Sequence, residues 1–95
     1  MNFLEALQTH KYVRSAQWTE GKAFCWHPAK TGPYRDLVDC DYFTVYDGSF
    51  ISFHTTGPDL YAHELLAQDY EVMEVTEEEI ETAKLRMDSI RDSHR

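Results

Sequence analysis

Residues 37–54 read LVDCDYFTVYDGSFISFH. Leu37 to Tyr46 and Ser49 to His54 are rich in the β-branched and aromatic residues that suit a pleated, half-buried surface. Asp47-Gly48 between them has the tolerance for positive φ that a type I′ hairpin turn demands. A hairpin centred on that dipeptide, and with it an antiparallel sheet, is the clearest local expectation in the chain.

Working outward, residues 12–16 and 22–27 read as strands bracketing a turn around Thr19, Glu20 and Gly21, and Lys30-Thr31-Gly32-Pro33 is a loop with strong breakers. Tyr70 to Val75 is a further strand, with Tyr70, Val72 and Glu74 facing opposite to Glu71, Met73 and Val75. Three helices complete the pattern. Asn2 caps one from Phe3 to about His10, Asp59 caps a second through Tyr61 and His63 to about Ala67, and Thr76-Glu77-Glu78-Glu79 is a capping box opening a third from Glu77 to about Ser93. The third carries its acids at the start and Arg91 and Arg95 near the end, as the helix dipole favours. Ile80, Ala83, Met87 and Ile90 recur at 3, 4, 3 spacing and form a narrow apolar seam, which either docks on the sheet or pairs with its copy in another subunit. The expectation is a small α+β domain: an antiparallel sheet with a central hairpin, short flanking helices and a C-terminal helix. Residues 1–75 form its body and residues 76–95 an appendage for packing or oligomerisation.

A chain of 95 residues with 42% hydrophobic and 14% aromatic content is one folded domain rather than a disordered segment. No apolar h-region follows Met1, and no apolar run approaches the ~20 residues of a membrane span. Two cysteines, Cys25 and Cys40, suit a reducing cytoplasm with both thiols free. The net charge of -8 argues against a bulk nucleic-acid binder, since most of this surface would repel a polyanion. A small anionic ligand escapes that objection.

The cations are unevenly placed. Lys11, Arg14, Lys22, Lys30 and Arg35 lie between His10 and Arg35 against a single acid, Glu20, interleaved with Tyr12, Trp18, Phe24, Trp26 and Tyr34. From Asp36 to Ala83 every Asp, Glu, Lys or Arg is an acid. Base stacking on an indole is worth about 1–3 kcal/mol, so this stretch suits a ligand that is both anionic and flat. Five cations here are equally compatible with ordinary surface. Trp26, alternating with Phe24, fits a core position, whereas Trp18 beside a Gly turn fits either a core or a stacking role.

Catalytic motifs are lacking. His63-Glu64-Leu65-Leu66-Ala67 begins like the helical zinc-protease motif but has Ala67 where the second ligand belongs. Cys25 and His27 share a strand face, compatible with a metal site or with a half-buried strand holding a satisfied His. Asp36, Asp39 and Asp41 lack a regular calcium-loop spacing and read as a solvated strand entry. There is no Gly-rich phosphate loop, nucleophile elbow or Cys-His-Asn arrangement, and no cofactor is implied.

Two segments carry a resemblance. Met1-Asn2-Phe3-Leu4-Glu5-Ala6-Leu7 followed by Val13-Arg14 and Trp18, and Asp59-Leu60 with Glu64-Leu65-Leu66-Ala67-Gln68-Asp69-Tyr70-Glu71-Val72, resemble the opening and closing of the second Thoeris anti-defence family. Gln17, Thr19 and Tyr70 stand where that family usually has Gly, Asn and Trp. The resemblance implies a phage-encoded sponge, a homodimer or homotetramer in the infected cell's cytoplasm. Such a protein sequesters a cyclic ADP-ribose isomer or a cyclic oligonucleotide signal without cleaving it. It further implies that Phe3 and Trp18 sandwich the base and that Arg14 supplies a cation. With Lys22 and Trp26 from the basic stretch, the candidate ligand-binding set is Phe3, Arg14, Trp18, Lys22 and Trp26. The alternative is an acidic phage protein that blocks a host protein by direct contact or by mimicking nucleic acid.

Overall fold

The computed structural model describes residues 1–18, 22–56 and 60–93, with side chains through Ile90. In chain order its elements are α1 (Phe3–Gln8), β1 (Val13–Ser15), β2 (Ala23–His27), β3 (Tyr42–Tyr46), β4 (Ile51–His54), α2 (Ala62–Leu65), β5 (Tyr70–Val72) and α3 (Glu77–Ser93). The five strands make one antiparallel sheet in the order β4-β3-β2-β1-β5. This is a mixed α+β domain built on the expected antiparallel sheet, with β1 to β4 forming a meander. The turn at Thr19, Glu20 and Gly21, the Asp59 cap and Arg95 lie outside the described residues.

Side-chain alternation divides the molecule into two cores. On one face Val13, Phe24 and Tyr70 meet Ala6, with Phe3, Leu7, Trp18, Phe43, Val45, Leu60, Ala67 and Val72 packed around them. On the other face Tyr12, Ala23, Cys25, Tyr42, Tyr46 and Ile51 meet Tyr34, Val38 and Ala83, joined by Phe53, Met73, Val75 and Ile80. The first face is covered by α1 and the α2 region, the second by the 31–38 segment and α3. Tyr70 and Val72 thus oppose Met73 and Val75, as their alternation predicts. Of the α3 seam, Ile80 and Ala83 pack into the second core and Met87 is half-buried.

Local chemistry sets the element ends. Asn2 Oδ1 accepts from the Glu5 N–H at 2.8 Å while Glu5 Oε1 accepts from the Asn2 N–H at 3.1 Å, a reciprocal cap on a helix too short to stand alone. α1 stops at Gln8 rather than His10, because His10 adopts a left-handed φ of 56°. The Glu79 N–H donates to Thr76 Oγ1 at 3.1 Å, the expected start of α3.

Four further expectations need correction. Residues 37–41 are not strand: the Leu37 and Val38 N–H groups both donate to the Tyr34 carbonyl at 3.0 Å, and Asp41 Oδ1 accepts from the Ala29 N–H at 2.8 Å, so the acids terminate a loop instead of entering a ladder. The hairpin turn is not type I′. Of its residues only Gly48 has positive φ, 95°, and Asp47 Oδ1 instead takes the Ser49 and Phe50 N–H groups at 2.9 and 2.7 Å. α2 is a single turn ending before Ala67, and β5 leaves the ladder after Val72, although the Met73 N–H still reaches the Tyr12 carbonyl at 2.8 Å.

Gly32 controls how closely the 31–36 segment approaches the sheet. Its φ is 83°, and a Cβ there would lie 2.5 Å from the Tyr42 hydroxyl oxygen and 2.6 Å from His27 Nδ1. At Gly48 a Cβ would meet nothing within 4 Å. Gly48→Ala therefore costs only the left-handed penalty, about 1–2 kcal/mol, whereas Gly32→Ala adds a steric clash and costs at least about 1 kcal/mol more. Urea denaturation of the two variants checks this, and equal losses would show that the segment yields freely.

Candidate functional site

The five sequence-derived residues fall into separate settings. Phe3 and Trp18 do come together, their ring centroids each 5.7 Å from Phe24 and 5.8 and 6.2 Å from Tyr70. Both are half-buried. The Trp18 indole N–H donates to Glu64 Oε2 at 2.9 Å, and the Arg14 guanidinium donates to the Trp18 carbonyl. Trp26 shares this sheet face but stacks on the His10 ring, centroids 5.2 Å apart. Lys22 is exposed just ahead of β2.

Glu64 is the residue that motif reasoning passed over. Its Oε1 accepts from the Tyr61 N–H at 3.0 Å, its Oε2 from Trp18, and its carbonyl from the Tyr70 hydroxyl at 2.7 Å. One carboxylate thereby ties α2 to the aromatic cluster. The spacing of Tyr61 and Glu64, that of a residue and the acid three positions on, was the available signal.

On the opposite face lies a cavity of about 640 Å³ between the sheet, the 31–36 segment and the start of α3. None of the five candidates lines it. Lys11, Arg35 and Lys84 contribute cations, and Asp36, Glu74, Glu77 and Glu81 contribute acids. The Lys84 ammonium donates to the Pro33 carbonyl at 2.9 Å and sits 5.4 Å from the centre of the Tyr34 ring, which fastens α3 to the segment. The size falls within the ~300–1,000 Å³ typical of small-molecule sites.

Behind the Tyr12 and His27 side chains that line the cavity is a polar array in an aromatic setting. Tyr12 Oη lies 2.6 Å from Thr44 Oγ1, which lies 2.8 Å from His27 Nε2. The Tyr42 ring is tilted against the His27 imidazole at 4.9 Å, and its hydroxyl donates to the Thr31 carbonyl at 2.8 Å while accepting from the Tyr34 N–H at 2.9 Å. Burial pushes the Tyr12 phenol well above its ordinary range. Burial first, and the neighbouring His10 second, depress His27 to about 4, so its ring is neutral at physiological pH. Burial pushes the Cys25 thiol up to about 12. These groups are poised to donate and accept hydrogen bonds rather than to attack a substrate.

Cys25 and His27 share this face, as alternation requires. Among the described residues no three His, Cys, Asp or Glu side chains gather to hold a metal ion. Asp36, Asp39 and Asp41 are exposed, with Asp41 engaged at Ala29. Among the described residues no helix is long and apolar enough to cross a membrane.

No protein-family model matches the chain, and no curated protein or solved structure is similar to it. Its chemistry must therefore be read from its own residues.

The two thiols should react very differently. Cys40 is exposed and Cys25 buried. At pH 8 a thiol of pKa about 12 is only about one ten-thousandth thiolate. Ellman's reagent is expected to titrate one thiol promptly in the native protein and the second only in urea. In Cys40→Ser the prompt phase should vanish, and its survival would place Cys25 at the surface.

His27 links stability to pH. Its folded value lies below the ordinary 6.5, so the unfolded chain takes up the proton first as pH falls. The associated stability is fully present near pH 7, declines as pH drops through about 6.5 toward about 4, and changes no further below that. After discounting for the ring's partial exposure, the loss is about 1–2 kcal/mol. The difference between wild type and His27→Gln across this window isolates it from carboxylate titration. A constant difference in urea denaturation would contradict the assignment.

Proposed function

We propose that this protein captures a small anionic nucleotide signal and holds it chemically unchanged, in the manner of a sponge. The observation that carries this reading is the 640 Å³ cavity, whose lining combines Lys11, Arg35 and Lys84 with carboxylates and a neutral imidazole. Cations at the rim suit phosphate oxygens, and carboxylates suit the hydroxyls of a ribose. The mixed lining therefore fits a nucleotide better than a simple polyanion. The likeness of Met1 to Leu7, Val13-Arg14, Trp18, Asp59-Leu60 and Glu64 to Val72 to the second Thoeris anti-defence family supports the same class of ligand and the absence of turnover, although the Phe3 and Trp18 it assigns to the base lie on the other face.

A protonated Cys25 and a neutral His27 also favour storage. Neither is an activated nucleophile, since burial keeps the thiol protonated and the imidazole neutral at physiological pH. Capture alone is sufficient for inhibition when the protein outnumbers the signal, and nanomolar affinity requires about -12 kcal/mol.

Calorimetric titration of the full chain with cyclic ADP-ribose isomers and cyclic oligonucleotides tests the proposal. One member is expected to bind with submicromolar affinity, to be weakened at least tenfold by Lys11→Glu and by Arg35→Glu, and to be recovered intact after heat denaturation. Tight binding indifferent to both charge reversals would move the site away from the cavity. A degraded ligand would replace storage by hydrolysis.

A further inference from the structure

The Tyr12, Thr44 and His27 side chains form a chain whose protons can be placed. Tyr12 is 8% exposed and Thr44 0%, and among the described residues each hydroxyl has no other side-chain or backbone partner than those in the chain. Three arrangements are available to a neutral imidazole. If His27 Nε2–H donates to Thr44 and Thr44 donates to Tyr12, the buried Tyr12 O–H has no acceptor. If Tyr12 and His27 both donate to Thr44, the Thr44 O–H has none. Only when Tyr12 donates to Thr44 and Thr44 donates to His27 Nε2 is every buried proton used, and an orphaned buried donor costs about 1–3 kcal/mol. His27 then carries its own proton on Nδ1.

That Nδ1 is an outlet of the chain: it makes no hydrogen bond within the described residues, yet it is not among the buried polar atoms lacking a partner, so it keeps some exposure on a side chain that lines the cavity. The ring cannot swing away, because Tyr42 packs against it and Gly32 leaves no room for a Cβ beside Nδ1. The low proton affinity of the ring keeps it from becoming a double donor at neutral pH.

Resting on the nucleotide reading above, we infer that His27 is the specificity residue of the cavity, a fixed single N–H donor that takes a purine base through one of its unprotonated ring nitrogens. A base offering only N–H or C–H at that point leaves the donor desolvated and unpaired, which is where discrimination arises. Tyr12 and Thr44 act through His27 as positioning residues.

The tautomer is measured first, in ligand-free protein, by long-range ¹H–¹⁵N correlation of the histidine rings near neutral pH. The result expected is a protonated Nδ1 and a bare Nε2 for His27 in wild type, with the preference lost in Thr44→Val, which removes the donor to Nε2. A protonated Nε2 in wild type would overturn the inference whatever the protein binds. The second arm titrates cyclic ADP-ribose isomers against their 7-deaza and 3-deaza counterparts, in wild type and in His27→Phe. Wild type should lose at least tenfold in affinity for one deaza series, and His27→Phe should bind parent and deaza ligands within about twofold. Equal binding of all three by wild type overturns the inference while leaving capture intact, whereas no binding by any of them removes the nucleotide reading and this one with it.

Discussion

The in-register pairing of β2 with β3 is the constraint on which everything else rests. Five residue pairs, from Ala23 with Tyr46 to His27 with Tyr42, fix which side chains share a face. A slip of one residue would send Phe24 and Trp26 toward the cavity and Cys25 and His27 into the aromatic cluster, emptying both cores of their partners. Burial enforces the register from both sides. Phe24 has Phe3, Trp18 and Tyr70 around it, while Tyr42 is pinned by Thr31, Tyr34 and the His27 ring.

This alternation explains why the basic and aromatic stretch does not converge on one point. Residues close in sequence between His10 and Arg35 are distributed to opposite faces, so the large rings Trp18 and Phe24 collect under α1 and α2 while Tyr12, His27 and the Lys11 and Arg35 charges collect at the cavity. Composition reports only which cations and rings the stretch holds. Which face each joined depended on a strand phase that charge counting does not see.

Much of the fold was legible because it follows from short-range physics. The strand content, the Asn2 cap, the start of α3 at Thr76 and the opposed faces of Tyr70 and Met73 all rest on neighbours within a few residues. The errors arose where side chains compete with the backbone ladder: Asp41 and Asp47 bind loop N–H groups, and both convert expected strand or mirror-type turn into something else. The site was less legible. His27 and Thr44 lie 17 residues apart and Tyr12 and Thr44 lie 32 apart, so their hydrogen bonds have no signature in any local window. Lys84, from α3, meets the 31–36 segment across 51 residues.

The strand order has a bearing on how the chain assembles. β2, β3 and β4 are joined by neighbours in sequence, but β1 finds β5 only after a long excursion, as the contact between Ser15 and Asp69 across 54 residues illustrates. Closing such a loop is entropically unfavourable until the contacts it makes are in place, so the meander can form early during synthesis while the cavity has no outer wall. Only when α3 emerges and Lys84 reaches Pro33 does the pocket exist at all. The pocket is thereby reserved for a chain that includes α3, and a fragment ending before it, however well its hairpins are formed, lacks that wall.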